Sequence, residues 1–398
     1  MRCFSPVLSA MGLTAFALAL LAPAPVLAQD DAPPPALIPF GEFQVRPLFA
    51  PERVEVNEVD GQQELVLSRT AAVLEGVEFS EGVIEFDLAF EDRFGFGGLM
   101  WHADGDGDYE YFYIRQHKSG MVDAGQYTPA RDGLTSWQIY TDRNALAPLA
   151  HTHEGWNRLK FVIADDKADI YYNGSAAPIL HVPDLATDRG SGLVGFRTSG
   201  PNGKIRFRNV TIRPLAAGEA IVGAPSPDGR EAPEGVIKRW AVSTHFPEAQ
   251  IDGQLTLPEA LSSLKTKAVL DAESFGILDL SRSGLQEREG DTVLVTTRIF
   301  ANEARRARLQ FGYSDRVRLF LNGELVFDGV AGWRSRDRFF LGTIGFEDAV
   351  MLDLREGENV LSAAVSETFG GRGFAGAIAD REGLAIAPTA MEMAERRD

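Results

Sequence analysis

The chain has 398 residues, room for two or three domains with sizeable cores at about 150 residues each. Lys and Arg total 39 against 57 Asp and Glu, a formal charge of -18, which opposes nucleic acid and anionic membrane as partners because both demand a basic face. The single cysteine, Cys3, excludes disulfide scaffolds, Cys-based zinc sites and thiol catalysis, while 40 Gly, 21 Pro and 25 Phe favour short strands and tight turns over helical bundles.

Residues 1–28 read as a cleaved signal peptide. Arg2 is the only charge before Asp30, Met11 to Ala22 is apolar, and Val26-Leu27-Ala28 closes on a small residue suited to signal peptidase. That apolar stretch ends at Pro23 and Pro25 and is too short to cross about 30 Å of hydrocarbon. The expected product is exported, to the periplasm or the medium, without membrane insertion.

From 38 to 214 the pattern is β throughout, with period-two alternation broken by Gly, Asn and Asp, as in Val83 to Leu88, Tyr109 to Arg115, Leu159 to Ile163 and Phe207 to Ile212. Residues 215–235 are rich in Ala, Pro and Gly and read as a linker or a surface-hugging connection. A second β region covers 236–388. Its clearest hairpin is Val317 to Phe327, where Asn322-Gly323 supplies the two positive-φ residues of a type I′ turn. Residues 389–398 form a charged tail, and helix is expected only there and around Leu257 to Leu264. The fold class is therefore all-β: two antiparallel β-sandwich domains of jelly-roll type, because facing sheets bury one side of every strand.

Trp156 to Lys160, the Asp165-Asp166 turn, Ile170 to Gly174, Gly192 to Phe196 and Phe207 to Val210 follow one another in an order that resembles the C-terminal half of a concanavalin A-like or laminin-G-like jelly roll. The likeness extends to the bacterial 3-keto-disaccharide hydrolase domains, which share that sandwich. Val317 to Gly323 and Leu354 to Leu361 resemble the galactose-binding-like sandwiches appended to secreted glycosidases. Such sandwiches serve lectins, glycosidases and adhesion modules alike, so activity must be argued from residues.

The densest group is Trp101-His102 followed by Tyr109 to Arg115. On a strand, Phe112 and Ile114 point to one face and Tyr111, Tyr113 and Arg115 to the other. The resemblance implies that the second set lies on the concave sheet near Gln126, Tyr127 and Trp137. Aromatic faces take the C–H patches of a sugar, while Arg, Gln and His pair with its hydroxyls. The same tyrosines could instead pack with their hydroxyls at a rim, but Arg115 and His102 fit a dry core poorly.

Other groups carry weaker signals. Glu85 and Asp87 match two positions of the family 16 glycoside hydrolase pattern, but Ala89 and Phe90 stand where the acid is needed. Asp104, Asp106 and Asp108 form an acidic loop for which calcium is the fitting cation; it departs from the EF-hand template at Tyr109 and Arg115, and a solvated turn between two strands is the favoured reading. His151, His153 and Glu154, with His181 further on, lack an identifiable third metal ligand. In the second region, Phe311 to Arg316 and Glu367 to Phe374 suggest close backbone approach, with a second ligand patch through Asp315, Arg316, Arg336 or Glu367 as the alternative.

The leading functional expectation is an exported carbohydrate-recognition protein whose N-terminal sandwich binds a glycan. The alternatives are a hydrolase or lyase acting on modified disaccharides through His102, Glu110 and His117, with Asp104 or Asp106 near a metal, and a module that binds a protein partner.

Overall fold

Alternation decides which side of each strand is buried. In Gly82–Phe90, Ile84, Phe86 and Leu88 enter a core with Phe161, Phe196 and Phe207, while Glu85 and Asp87 face outward to Arg158. The structure, a computed structural model, describes residues 36–105, 107–187, 189–201, 203–284 and 291–395. The expected signal peptide and Asp106 lie outside those residues.

Two facing sheets build the first sandwich. One runs Ile38–Phe40, Phe43–Phe49, Ala71–Phe79, Gly192–Ser199, Phe96–Ala103, Tyr109–Arg115, Gly125–Arg131 and Leu134–Thr135, with Leu146–Ala147 also on Gly125–Arg131. The other runs Leu180–Val182, Lys167–Tyr172, Asn157–Ala164, Gly82–Phe90, Lys204–Arg213, Gln62–Ser68 and Val54–Val59. Every pairing is antiparallel, and strands distant in sequence lie side by side, as a jelly roll requires.

The second sandwich packs Thr266–Asp271, Arg239–Ser243, Thr292–Ala301, Gly357–Ser366, Arg316–Leu321 and Glu324–Val330, joined by Leu384–Ala387, against a sheet of Ile277–Asp279, Gly373–Ala377, Arg305–Ser314 and Asp348–Leu354. Trp240, Phe311, Tyr313 and Phe374 fill its core. The Asn322-Gly323 turn has φ of 51 and 86, the conformation its sequence predicts. Among the described residues the α-helices are Glu259–Ser262 and Ala390–Glu395, and no helix is long and apolar enough to cross a membrane.

The connection after Arg213 hugs the first sandwich. Asp169 accepts the backbone N–H groups of Val222 (2.7 Å) and Gly223 (2.8 Å), and its other oxygen meets His181 Nδ1 at 2.7 Å. Further along, Asn144 accepts from Ser226 N and Asp142 from Arg230 N, both at 2.7 Å. The apolar cluster of the first sandwich continues through Ile139 and Tyr140 to Ile277, Ile344 and Ala375 of the second.

Candidate functional site

The strand Tyr109–Arg115 splits its side chains as alternation predicts. Phe112 and Ile114 join the inter-sheet core, while Tyr109, Tyr111 and Tyr113 form a separate cluster on the outer face with Met100, Val73 and Ala71. Register corrects two of the sequence expectations. Trp101 pairs opposite Glu110 and Tyr127 opposite Phe112, so both point into the core, Trp101 at 0% exposure and 5.7 Å from the Phe161 ring.

The outward set is also buried, which corrects the expectation of an open aromatic platform. Tyr111 and Tyr113 stack on each other at 5.1 Å and 21°, so part of the ring surface a sugar would use is taken. Arg197 lies over the rings of Phe49 (5.3 Å) and Tyr109 (5.7 Å), and Tyr111 OH donates to the Arg197 carbonyl at 3.2 Å. Gln126 closes a network: its Oε1 accepts from Tyr113 OH (2.8 Å) and from Arg115, and its Nε2 donates to the carbonyls of Trp137 (2.7 Å) and Tyr140 (2.6 Å). Arg115 also donates to Tyr113 OH (2.9 Å) and the Asp123 carbonyl (2.7 Å). Burial pushes the Tyr111 and Tyr113 hydroxyls above the ordinary phenol range. Polar residues thus tolerate this layer because their groups are bonded within it. His102 meets the Ser80 carbonyl through Nε2 at 2.8 Å, and burial lowers its pKa. Trp137 stands apart, half-buried where the two sandwiches meet, with Phe369 of the second at 6.2 Å.

The residues a hydrolytic reading needs are engaged elsewhere. Glu110 is fully buried; one oxygen accepts from Thr187 N (2.9 Å) and Oγ1 (2.6 Å), the other from Tyr127 OH (2.6 Å). Glu85 and Asp87 are ion-paired with Arg158 at 2.6 and 3.0 Å. His117 stacks on Phe94 at 4.3 Å, and His151 meets the Gln116 carbonyl at 2.9 Å. In the acidic loop, Asp104 accepts from Asp108 N and Asp108 from Asp132 N, each at 2.9 Å. Among the described residues no group of three His, Cys, Asp or Glu side chains is placed to hold a metal.

An open cleft of about 540 Å³ lies at the end of the tyrosine layer. It forms where Leu193 pairs with Ala103 on one side and Glu78 on the other, next to a bulge between Leu193 and Gly195. Gly192 permits the close approach, because a Cβ there would meet the Ala103 carbonyl at 2.6 Å. Leu193 and Ala103 give a small apolar floor; Glu78, Asp104, Arg189 and Ser191 give the rim. Arg189 is held by Nε donating to the His102 carbonyl (3.1 Å) and by Nη1 lying 3.6 Å from Asp104 Oδ2. Two carboxylates, a guanidinium and a hydroxyl around an apolar floor can accept from and donate to several ligand hydroxyls at once. Sequence reasoning named Asp104, as a cation candidate, but missed Glu78, Arg189 and Ser191: Glu78 lies on Ala71–Phe79, the other two on the loop before Gly192–Ser199, and sheet register brings that loop to Glu78 and Asp104. A second cleft, of about 490 Å³, lies on the opposite sheet between Tyr171, Lys160 and the segment around Glu219.

No family model and no curated protein matches the chain. Solved structures do resemble part of it. One is the carbohydrate binding module CBM66 from Bacillus subtilis, with 15% identity, 44% of this chain and 99% of that chain covered, and a TM-score of 0.34. Another is a Bacillus subtilis protein of unknown function with a galectin-like fold, at 15% identity, 43% and 89% coverage and a TM-score of 0.32. A third is a beta-1,3-glucanase from Mycobacterium marinum, at 12% identity, 40% and 78% coverage and a TM-score of 0.28.

Proposed function

We propose that the protein recognises carbohydrate, and that its first sandwich, of the concanavalin A-like type that the sequence resembles, binds a glycan in the cleft beside Leu193. One observation carries this reading: Glu78, Asp104, Arg189 and Ser191 converge around a small apolar floor that the tyrosine layer backs. A hydroxyl-rich ligand satisfies such a rim, whereas an apolar ligand would leave its charges desolvated and unpaired. The buried tyrosines then act as a rigid support beneath the site and do not stack on the sugar. Export is part of the proposal and rests on the N-terminal sequence.

Titration calorimetry with a panel of neutral oligosaccharides tests the site. Arg189→Ala and Glu78→Ala are each expected to weaken binding at least about tenfold, or about 1.4 kcal/mol. Tyr171→Ala, in the cleft of the opposite sheet, leaves it unchanged. Absence of binding by the unaltered protein to every sugar, or equal binding by the Arg189 variant, would sink the reading.

A further inference from the structure

The chain carries a second surface whose chemistry differs from that of the cleft. On the loop between Glu324–Val330 and Asp348–Leu354, Trp333 is 37% and Phe339 74% exposed, and Phe369 on the neighbouring loop is 60% exposed. Asp315 ties the two loops together: its carboxylate accepts from Thr368 N and Phe369 N at 3.1 Å, and its carbonyl accepts from Ala331 N at 2.6 Å. Trp137, from the first sandwich, meets Phe369 at 6.2 Å.

The loop is built to present these rings. Arg334 N donates to the Phe340 carbonyl at 2.8 Å, and the Asp337 carboxylate accepts from Phe339 N (2.6 Å) and Phe340 N (3.0 Å). Asp337 is the one acidic side chain of the Trp333 to Phe340 segment, against three arginines. Arg336 is ion-paired with Asp348. Arg334 and Arg338 are exposed and have no ion-pair partner among the described residues; each guanidinium instead lies over its neighbour's ring, at 4.0 Å from Trp333 and 4.4 Å from Phe339. Two unpaired cations, each beside an exposed aromatic ring, are conspicuous on a chain of net charge -18.

We propose that this surface, Trp333, Arg334, Arg338 and Phe339 flanked by Phe369, is a second recognition site, and that it takes an anionic polysaccharide. A guanidinium fork pairs with a carboxylate or sulfate, and the ring beside it takes the C–H face of the sugar bearing that anion. One ligand class offers both features in alternation along a flexible chain. A planar anionic bilayer would bring the whole acidic molecule near its charged surface, and DNA binding through two cations would gain little from counterion release. The proposal does not rest on the cleft.

The test uses the full exported chain and four probes: polygalacturonate, dextran sulfate, neutral dextran, and vesicles containing phosphatidylglycerol. Affinity electrophoresis or calorimetry is expected to show binding to polygalacturonate or dextran sulfate, weakening as salt is raised, and none to neutral dextran through this loop. The variant Arg334→Gln/Arg338→Gln loses at least tenfold in affinity, and Phe339→Ala loses several-fold, with melting temperatures unchanged because all three side chains are exposed. Arg189→Ala keeps the binding, which separates this site from the cleft. Absence of binding to both anionic polymers, equal binding by the double Arg variant, or tighter binding to the vesicles would overturn the proposal.

Discussion

One carboxyl oxygen of Glu367 accepts from Phe369 N at 2.8 Å and the other is buried, although the residue as a whole is half-buried. Burial first and the nearby Asp315 charge second raise its pKa from 4.5 to about 8, against the opposing pull of Arg372. The folded state therefore holds this proton more tightly than the unfolded chain. Its contribution to stability is complete below about pH 4.5 and is lost as pH rises towards 8. Glu273, raised to about 7 by burial and by Asp279, acts in the same direction over a narrower window. Glu367→Gln removes the charge without removing the volume. The variant is expected to gain on the order of 2 kcal/mol over the unaltered protein at pH 9 and little at pH 5. Urea unfolding at both values checks it; equal shifts at the two pH values would refute the assignment.

Packing of the elements depends on where glycine stands. Gly98 pairs with Tyr113 on one side and Arg197 on the other. A Cβ at Gly98 would overlap the Phe112 carbonyl oxygen and lie 2.9 Å from Tyr113 Cα, so backbone and not a movable side chain would have to yield. Gly98→Ala is expected to cost at least about 2 kcal/mol, read as a lower urea midpoint, with the Tyr109–Arg115 strand losing amide protection from hydrogen exchange. An unchanged midpoint would show that the two strands can part without cost. Much at this scale was legible in the sequence: the strands, the Asn322-Gly323 turn and the faces of Tyr109–Arg115 all follow from local pattern, whereas the Ala, Pro and Gly of 215–235 left a linker and a surface-hugging connection both open. Exposure was not legible. Alternation says which face Tyr111 and Tyr113 occupy, but the Arg197 that closes over this face arrives from a strand more than 80 residues away. Trp101 and Tyr127 were misassigned for a related reason, since proximity to a motif says nothing about register. The cleft was invisible because Glu78, Asp104 and Arg189 have no common sequence pattern.

The whole molecule is held by a seam that is part core and part hydrogen-bonded. Ile139 and Tyr140 share one apolar cluster with Ile277, Ile344 and Ala375. Around it, Ser136 Oγ donates to Asp279 at 2.8 Å, Gln138 donates to the Leu341 carbonyl at 3.1 Å, and Gly371 N donates to Gln138 at 2.7 Å. A surface that joins two hydrophobic cores couples their unfolding, since neither sandwich can open without exposing the residues they share. Calorimetry of the unaltered protein is therefore expected to give one transition with equal calorimetric and van't Hoff enthalpies. Gly371 is the place to break the coupling, because a Cβ there would lie 2.9 Å from Ser136 Cα, on the backbone of the opposite sandwich. Gly371→Val should force the seam apart and split the single transition into two, the lower belonging to whichever sandwich depends more on the shared cluster. Tyr140 and Trp137 report the opening through fluorescence, because both sit at the seam. Two resolved transitions in the unaltered protein, or a Gly371→Val variant that still melts as one unit at the original temperature, would show that the contacts across the seam do not bind the sandwiches into a single cooperative body.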